Sequence, residues 1–149
     1  MPDGEFAICV ATFYEDLAER LVNGATEAFV EQGVGAASIH TFEVPGAFEL
    51  PAAAKWCAES GRFAGVACLG AVIRGETDHY DYVCAEAASG VQRVQLDTGV
   101  PCAFGVLTCN TMEQAIHRAG GNVGNKGVEC AEAALEMVRL LRQLSPVDE

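Results

Sequence analysis

Two kinds of hydrophobic pattern alternate along this chain: short continuous apolar runs, and longer stretches in which apolar residues recur every three or four positions. A short run is typical of a strand buried on both faces, whereas the longer period is typical of an amphipathic helix. Glycine and proline mark breaks at Gly33, Pro45 and Gly61. The pattern predicts strands at 6–13, 38–44, 65–72 and 101–107, with helices at about 17–33, 50–60, 82–96, 111–119 and 126–144.

The order of these elements predicts a single α/β domain over residues 1–149. Strands that alternate with helices form parallel sheets with right-handed crossovers, which place helices on both faces. We therefore expect a three-layer sandwich of flavodoxin-like type with a four-stranded parallel sheet. Ligands of such sheets bind outside the carboxyl ends of the strands, so a site is expected among residues 13–15, 45–49, 73–79 and 108–110.

The charge composition of the chain argues against two classes of binding partner. The chain has 149 residues, half of them apolar, and a formal net charge of -12 from 21 acidic and 9 basic side chains. Nucleic acids and anionic membranes require a basic surface, so neither is expected as a partner. No apolar run reaches the roughly 20 residues that span a bilayer, and the opening MPDGEF does not resemble a signal peptide, so we expect a cytoplasmic protein.

The seven cysteines favour a buried structural role. Their number is odd, they are scattered, and no C-x-x-C spacing occurs. A disulfide framework or a zinc site would show paired spacing, whereas a free thiol is among the most buried side chains of proteins in reducing compartments. We expect no bound metal, and we expect core positions for Cys9, Cys57, Cys68, Cys84, Cys102, Cys109 and Cys130.

The segment GAVIRGETDHYDYV, at 70–83, joins an apolar strand to a polar turn that contains one histidine. The backbone N–H groups of Glu76 and Thr77 and the Thr77 hydroxyl would lie near a helix N-terminus, which favours a phosphate group. His79 is the candidate general acid and base, because imidazole exchanges protons near neutral pH. Two simpler interpretations stay open: the acidic residues only cap the helix, and the histidine is an ordinary surface side chain.

Further candidates lie at other breaks in the pattern. Arg118 and Lys126 bracket the glycine-rich GGNVGNKG, which we expect to be a flexible loop; two cations there could hold an anion, although ordinary charges at helix ends are the alternative. This string lacks the spacing of a nucleotide-binding phosphate loop. In PGAFELP, at 45–51, Glu49 could accept hydrogen bonds from ligand hydroxyls, and Phe13 could stack on a flat heterocycle. Roles in the core or in helix capping are the alternatives for the aromatic and acidic residues.

Four motifs together resemble the lumazine synthase family. They are PGAFELP (45–51), GAVIRGETDHYDYV (70–83), PCAFGVLT followed by NTMEQAIHRAG (101–120), and GNKGVECAEAALEM (124–137), in the family's order and along nearly the whole chain from 6 to 141. The resemblance implies condensation of 5-amino-6-(D-ribitylamino)uracil with 3,4-dihydroxy-2-butanone 4-phosphate to 6,7-dimethyl-8-ribityllumazine. This is a step of riboflavin biosynthesis that uses small-molecule substrates and no cofactor.

The same resemblance implies roles for individual residues. His79 corresponds to the family's proton-transferring residue. Phe104 and Lys126 correspond to positions that a neighbouring subunit supplies, so the implied site is complete only in an oligomer. The positions expected to contact the ribitylaminouracil are Phe13, Ala47, Phe48, Glu49, Ala71, Val72, Ile73, Phe104 and Lys126, and those expected to contact the sugar phosphate are Glu76, Thr77 and Arg118.

The chain departs from the family pattern in two places. Ala11 and Thr12 stand where Gly-Arg or Ser-Arg/Asn usually precedes the stacking aromatic, and Tyr14 stands where Asn follows it. A backbone contact to the pyrimidine would survive at Tyr14, whereas a side-chain amide contact would not. Asn122 stands where a lysine is common, which removes one cation near the glycine-rich segment.

The resemblance leaves more than one oligomeric state and more than one function open. Family members form pentamers that stay free, pair into decamers or close into icosahedral shells, so we expect a homopentamer or a multiple of pentamers, with riboflavin synthase as a candidate protein partner. A noncatalytic lumazine- or flavin-binding or shell-forming paralogue is one alternative function. The archaeal type of riboflavin synthase, which dismutates two lumazines, is another. The segment that contains His79 favours the lumazine synthase assignment.

Overall fold

Strands and helices alternate along residues 4–145, the part of the chain that the computed structural model describes. Short 3₁₀ turns lie at Ala36–Ser38 and Ala47–Glu49. The strands are β1 (Phe6–Ala11), β2 (Ile39–Val44), β3 (Gly65–Ile73), β4 (Cys102–Cys109), β5 (Ala119–Gly121) and β6 (Gly124–Asn125), and the helices are α1 (Glu15–Glu31), α2 (Leu50–Glu59), α3 (His79–Thr98), α4 (Met112–Arg118) and α5 (Lys126–Leu144).

Four strands form one parallel sheet in the order β2-β1-β3-β4. The central strands β1 and β3 are buried along nearly their whole length, as the continuous apolar runs FAICVA and GVACLGAVI require. The edge strand β2 is more polar and more exposed. Helices α1, α4 and α5 enclose a core with Phe6 and Leu135 on one face, and α2 and α3 enclose a core with Leu50 and Val91 on the other. The predicted three-layer, flavodoxin-like α/β sandwich is confirmed.

Two of the boundaries that differ from the sequence prediction lie next to the carboxyl ends of the strands. β1 ends at Ala11 because the chain bends shortly after it, at 13–14, so Phe13 lies outside the sheet. α3 begins at His79, before the predicted start at 82, because the backbone N–H of Asp81 already donates to the carbonyl oxygen of Asp78 at 3.0 Å. The added turn is polar, and an apolar period cannot reveal a helical turn without apolar residues.

The glycine-rich segment forms a small antiparallel hairpin, not the flexible loop that the sequence predicted. Ala119 on β5 pairs with Asn125 on β6. Gly120 and Gly124 have φ angles of 103° and 107°, in the left-handed region that favours glycine. The hairpin leads directly into Lys126, the first residue of α5.

Candidate active site

A cavity of about 640 Å³ lies at the carboxyl ends of β1, β2 and β3. Its floor is the end of β3, and its walls are the segments that follow these strands and the first turns of α3. Parallel α/β sheets bind ligands at this edge, to which the strand order brings segments that are remote in sequence. The lining residues are Phe13, Tyr14, Gly46, Ala47, Phe48, Glu49, Ala71, Val72, Ile73, Gly75, Thr77, His79, Tyr80, Tyr82 and Val83.

Three aromatic rings at this cavity are exposed instead of joining either core. The exposed fraction is 74% for Phe13, 57% for Phe48 and 69% for Tyr82. Tyr14 meets Phe13 edge-to-face, with ring centroids 4.9 Å apart and planes at 85°. An exposed ring beside a concave site offers an apolar face for a flat heterocycle. The interpretation of Phe13 and Phe48 as core residues is therefore wrong.

The turn Ala47–Glu49 forms the side of the cavity next to β2. The backbone N–H of Gly46 donates to Glu49 Oε1 at 3.0 Å, and the N–H of Glu49 donates to the Gly46 carbonyl oxygen at 3.1 Å. This reciprocal pair orients the carboxylate. An ionised carboxylate offers about four acceptor sites, so the exposed Glu49 can accept further hydrogen bonds from the hydroxyls of a ligand.

The segment between β3 and α3 carries the candidate proton-transfer residue. His79 is the first residue of α3; its side chain is exposed and lines the cavity. Its backbone N–H donates to Thr77 Oγ1 at 3.3 Å, which places that hydroxyl at the start of the helix. A helix N-terminus provides backbone N–H donors and a partial positive charge. The arrangement can therefore hold an anion next to an imidazole.

Arg74 and Tyr80 form a pair beside the cavity that the sequence analysis did not single out. The Arg74 Cζ atom lies 4.3 Å from the centre of the Tyr80 ring, and the guanidinium also reaches Asn110 and Asp81. Burial raises the pKa of the Tyr80 phenol above its usual 10.0. One sequence feature could have indicated this pair: an arginine lies directly after a buried strand, and an acidic residue follows in the first turn of the next helix.

Other predicted site residues lie apart from the cavity lining in the described part of the chain. Glu76 is exposed in the segment before α3. Phe104 is half-buried on β4 against the core under α2 and α3, and Arg118 ends α4. Lys126 begins α5 and forms an ion pair with Glu129 at 3.6 Å. The roles of these four residues stay predictions.

A second cavity, of about 600 Å³, lies between α1 and the edge strand β2. Its lining includes Glu15, Asp16, Glu19 and Glu43, and Arg20 is already paired with Asp16 at 3.2 Å. Four carboxylates disfavour an anionic ligand. The cavity with the helix N-terminus and the imidazole is therefore the candidate active site.

The cysteines are unpaired and mostly buried. All seven are free thiols, and five lie in the cores, as predicted, while Cys57 and Cys84 are only half-buried. Among residues 4–145, no group of three or more His, Cys, Asp or Glu side chains is arranged to hold a metal ion. Within the same range, none of the helices is long and apolar enough to cross a bilayer.

Comparison with known proteins matches nearly the whole chain. A family model described as 6,7-dimethyl-8-ribityllumazine synthase matches residues 3–142. A protein of Syntrophus aciditrophicus (strain SB) named 6,7-dimethyl-8-ribityllumazine synthase is 53% identical over 140 residues, which are 94% of this chain and 91% of that protein. The matched range includes the parallel sheet and every segment that lines the cavity.

Proposed function

The chain belongs to the 6,7-dimethyl-8-ribityllumazine synthase family, and we propose that the cavity at the ends of β1, β2 and β3 is its active site. The reaction condenses 5-amino-6-(D-ribitylamino)uracil with 3,4-dihydroxy-2-butanone 4-phosphate, releases water and phosphate, and gives the lumazine used in riboflavin biosynthesis. The convergence of the Phe13 ring, the Glu49 carboxylate and the His79 imidazole on one cavity carries the assignment of the site. We propose that residues 1–149 act as one domain.

The uracil substrate is proposed to bind between the segments that follow β1 and β2. The exposed Phe13 ring would stack on the flat pyrimidine, and the turn Ala47–Glu49 would hold its edge and the ribityl hydroxyls. The floor at 71–73 is mostly apolar and suits the ring. Tyr14 supports this pose through its edge-to-face contact with Phe13, because the contact restricts the orientation of the stacking ring.

The sugar phosphate is proposed to bind at the N-terminus of α3. The backbone N–H groups of Glu76 and Thr77 lie where the helix favours negative charge, and the exposed Glu76 carboxylate can turn towards solvent. Arg118 would supply the cation. Arg118→Ala is expected to raise the KM for the sugar phosphate about tenfold and to change the KM for the uracil much less. An unchanged KM for the sugar phosphate would remove this role.

His79 is proposed to move the protons of the reaction. The uracil amine attacks the ketone, a Schiff base forms with loss of one water, phosphate leaves, and the second ring closes onto the remaining carbonyl with loss of a second water. Each of these steps transfers a proton, and His79 is exposed at the cavity beside the proposed phosphate position. General acid–base catalysis contributes roughly 10² to 10⁴ in rate, and substrate alignment contributes separately. His79→Ala should therefore slow the reaction without abolishing it.

The site is proposed to be completed by a neighbouring subunit in a homopentamer or a multiple of pentamers. The exposed rings of Phe13, Phe48 and Tyr82 leave the cavity open on one side. Phe104 and Lys126 lie away from the lining in their own chain, which fits a contribution to a neighbour's site. Sedimentation at micromolar concentration tests the assembly, and a mass equal to that of a stable monomer would contradict it.

A mixing experiment tests the shared site directly. His79→Ala and Lys126→Ala subunits are co-expressed with different tags, and mixed oligomers are purified. If Lys126 serves a neighbour's cavity, random mixing restores an intact His79–Lys126 pair at about a quarter of the sites, so activity rises above that of either variant alone. A mixed sample whose activity stays at the mean of the two variants would contradict the shared site.

The principal experiment is fluorescence-monitored lumazine formation from the two pure substrates by wild type and His79→Ala, with Arg93→Ala as an exposed control. Lumazine formation that falls with His79→Ala supports the function and its main proton-transferring residue. Ligand binding without product would support a noncatalytic flavin- or lumazine-binding paralogue. Riboflavin formation from lumazine alone would support the archaeal type of riboflavin synthase.

We also propose that the protein works in the cytoplasm, because its seven cysteines are free thiols, as is usual in reducing compartments. Riboflavin synthase is a proposed partner, since it would consume the lumazine product. Co-sedimentation of the two purified enzymes tests this association, and complete separation at micromolar concentration would contradict it.

A further inference from the structure

Arg74 lies at the corner where β3 passes into the segment that carries His79. In the parallel register of β3 and β4, Ile73 is opposite Cys109, so the next residues along the two strands, Arg74 and Asn110, lie side by side. The backbone N–H of Arg74 donates to the Cys109 carbonyl oxygen at 2.9 Å. The sheet therefore holds the base of the Arg74 side chain in place.

The guanidinium group of Arg74 makes three contacts at once. Its Nε donates to Asn110 Oδ1 at 3.1 Å, its Nη2 lies 3.5 Å from Asp81 Oδ1, and its Cζ lies 4.3 Å from the centre of the Tyr80 ring. Tyr80 and Asp81 follow His79 in the first turn of α3, whereas Asn110 follows β4. Arg74 thus joins the first turn of the helix to the end of the sheet.

Tyr80 is also close to β4: burial raises the pKa of its phenol, and the nearby side chain of Thr108, near the end of β4, partly opposes that rise. The Tyr80 residue lines the cavity, and its ring contacts the Arg74 guanidinium. The first turn of α3 is therefore held to the end of the sheet by one charged group, which stacks on the Tyr80 ring and also contacts Asp81 and Asn110.

The geometry distinguishes Arg74 from an ordinary surface ion pair. An exposed pair alone contributes little to stability. Here the same planar group stacks on a ring and donates to an amide oxygen, a combination that the rigid fork of arginine permits and a lysine ammonium does not. In the described part of the chain, Arg74 is not among the residues that line the cavity. Its guanidinium is also engaged by Asn110 and Asp81. Both observations argue against a direct role in substrate binding.

We propose that Arg74 is a positioning residue for His79: it holds the first turn of α3 against the end of β4, so that the imidazole keeps its place at the cavity. The proposal rests on the proposed function, in which His79 moves protons. A displacement of about 1 Å in a reacting group can slow a reaction by about a hundredfold. Losing Arg74 therefore lowers turnover through His79, while the uracil contacts at Phe13 and Glu49 come from other segments and persist.

A double-mutant cycle tests this role. Arg74→Ala is measured in wild type and in His79→Ala by steady-state lumazine formation. In wild type, kcat is expected to fall about tenfold, with the KM for the uracil changed by less than about twofold. In His79→Ala, the same substitution is expected to lower kcat by less than about twofold, because the positioned group is already absent. An equal fold-loss in both backgrounds overturns the proposal.

Further variants separate positioning from folding. Asp81→Asn leaves Arg74 in place but weakens its hold on α3, and it is expected to lower kcat in the same pattern. Arg74→Lys keeps the positive charge but lacks the planar guanidinium, and it is expected to lose most of the turnover. Full turnover in both Asp81→Asn and Arg74→Lys overturns the proposal. Arg93→Ala, at an exposed arginine later in α3, is the matched control. Melting temperature and sedimentation mass are measured for every variant.

The cycle also separates this proposal from the proposed function. A His79→Ala enzyme with full turnover would overturn the proton-transfer role of His79 and, with it, the positioning role. A His79→Ala enzyme with reduced turnover, combined with an Arg74→Ala loss that is independent of His79, overturns the positioning role alone.

Discussion

Asn125 joins α5 to α1: its side-chain amide nitrogen donates to the backbone carbonyl oxygen of Arg20 at 3.2 Å. The Oδ1 atom of the same side chain accepts from the backbone N–H of Gly127 at 2.7 Å and of Val128 at 3.3 Å. One residue therefore caps the N-terminus of α5 and ties that end to a helix remote in sequence. Because Lys126 is the next residue, this contact also fixes where α5 presents its first cation.

Replacing Asn125 is expected to destabilise the protein. Asn125→Ala removes both the cap and the bond to Arg20, and losing a helix cap costs about 1 kcal/mol, up to about 2. Asn125→Asp keeps the capping oxygen, loses the donor and should cost less. Urea unfolding at one fixed subunit concentration measures the difference, and Asn122→Ala in the exposed hairpin is the control. Equal stability of Asn125→Ala and wild type would contradict this prediction.

Gly127→Ala is expected to destabilise the protein although it lies in a helix, where alanine is normally preferred over glycine by about 1 kcal/mol. A Cβ atom at Gly127 would overlap the backbone carbonyl oxygen of Leu21, so the two helices would have to move apart. Overpacking of this kind costs typically about 1–3 kcal/mol. Gly35→Ala is the matched control, since its φ of -66° suits any residue and a Cβ there meets only Ser38 Oγ at 4.0 Å. A more stable Gly127→Ala protein in urea unfolding would refute the close approach.

Alkaline pH is expected to weaken the fold through its buried thiols. Burial raises the pKa of Cys102 and Cys130 from 9.0 to about 12. Unfolded thiols lose their protons near pH 9.0 and folded ones only near 12, so this stability is fully present below pH 9 and is lost as the pH rises towards 12. The loss is about 1.4 kcal/mol per pH unit for each thiol.

Comparison of wild type with Cys130→Ala isolates that contribution. The free energy of unfolding is measured from pH 8 to pH 10.5 for both proteins. The wild-type value is expected to fall more steeply above pH 9, because only wild type has the thiol whose burial favours the protonated form. Parallel pH profiles would show that the Cys130 thiol does not contribute.

Cys57 is expected to be more reactive than an ordinary thiol. The sulfur atoms of Cys9 and Cys57 lie 3.8 Å apart, and a hydrogen bond from the Cys9 thiol lowers the pKa of Cys57 below 9.0, with a smaller contribution from the Arg62 guanidinium. The thiolate is the reactive form, so alkylation of Cys57 by iodoacetamide should reach half its maximal rate below pH 9.0. Peptide mass spectrometry measures the rate, and Cys9→Ala should move the midpoint upward. A midpoint at or above 9.0 in wild type would contradict the contact.

Part of the candidate site could be predicted from the sequence. Phe13, Glu49 and His79 were predicted from their places after strands, and the structure brings all three to one cavity. The sequence could not show that Phe13 is exposed, because an apolar residue at a strand end is compatible with both a core and a rim position. The sequence did not indicate a role for Arg74, because that role depends on Asn110, which comes close to Arg74 only when β3 pairs with β4.

The sequence by itself determined the four parallel strands, the helices on both faces and the edge of the sheet at which ligands bind. These features follow from apolar periods and turn residues, which act over a few neighbouring positions. Only the tertiary structure decided the hairpin before α5, the contact of Asn125 with Arg20, the raised thiol pKa values, and the connection of Arg74 to α3. Each of these depends on strand register or burial, which are set when residues remote along the chain pack together, so no local pattern encodes them.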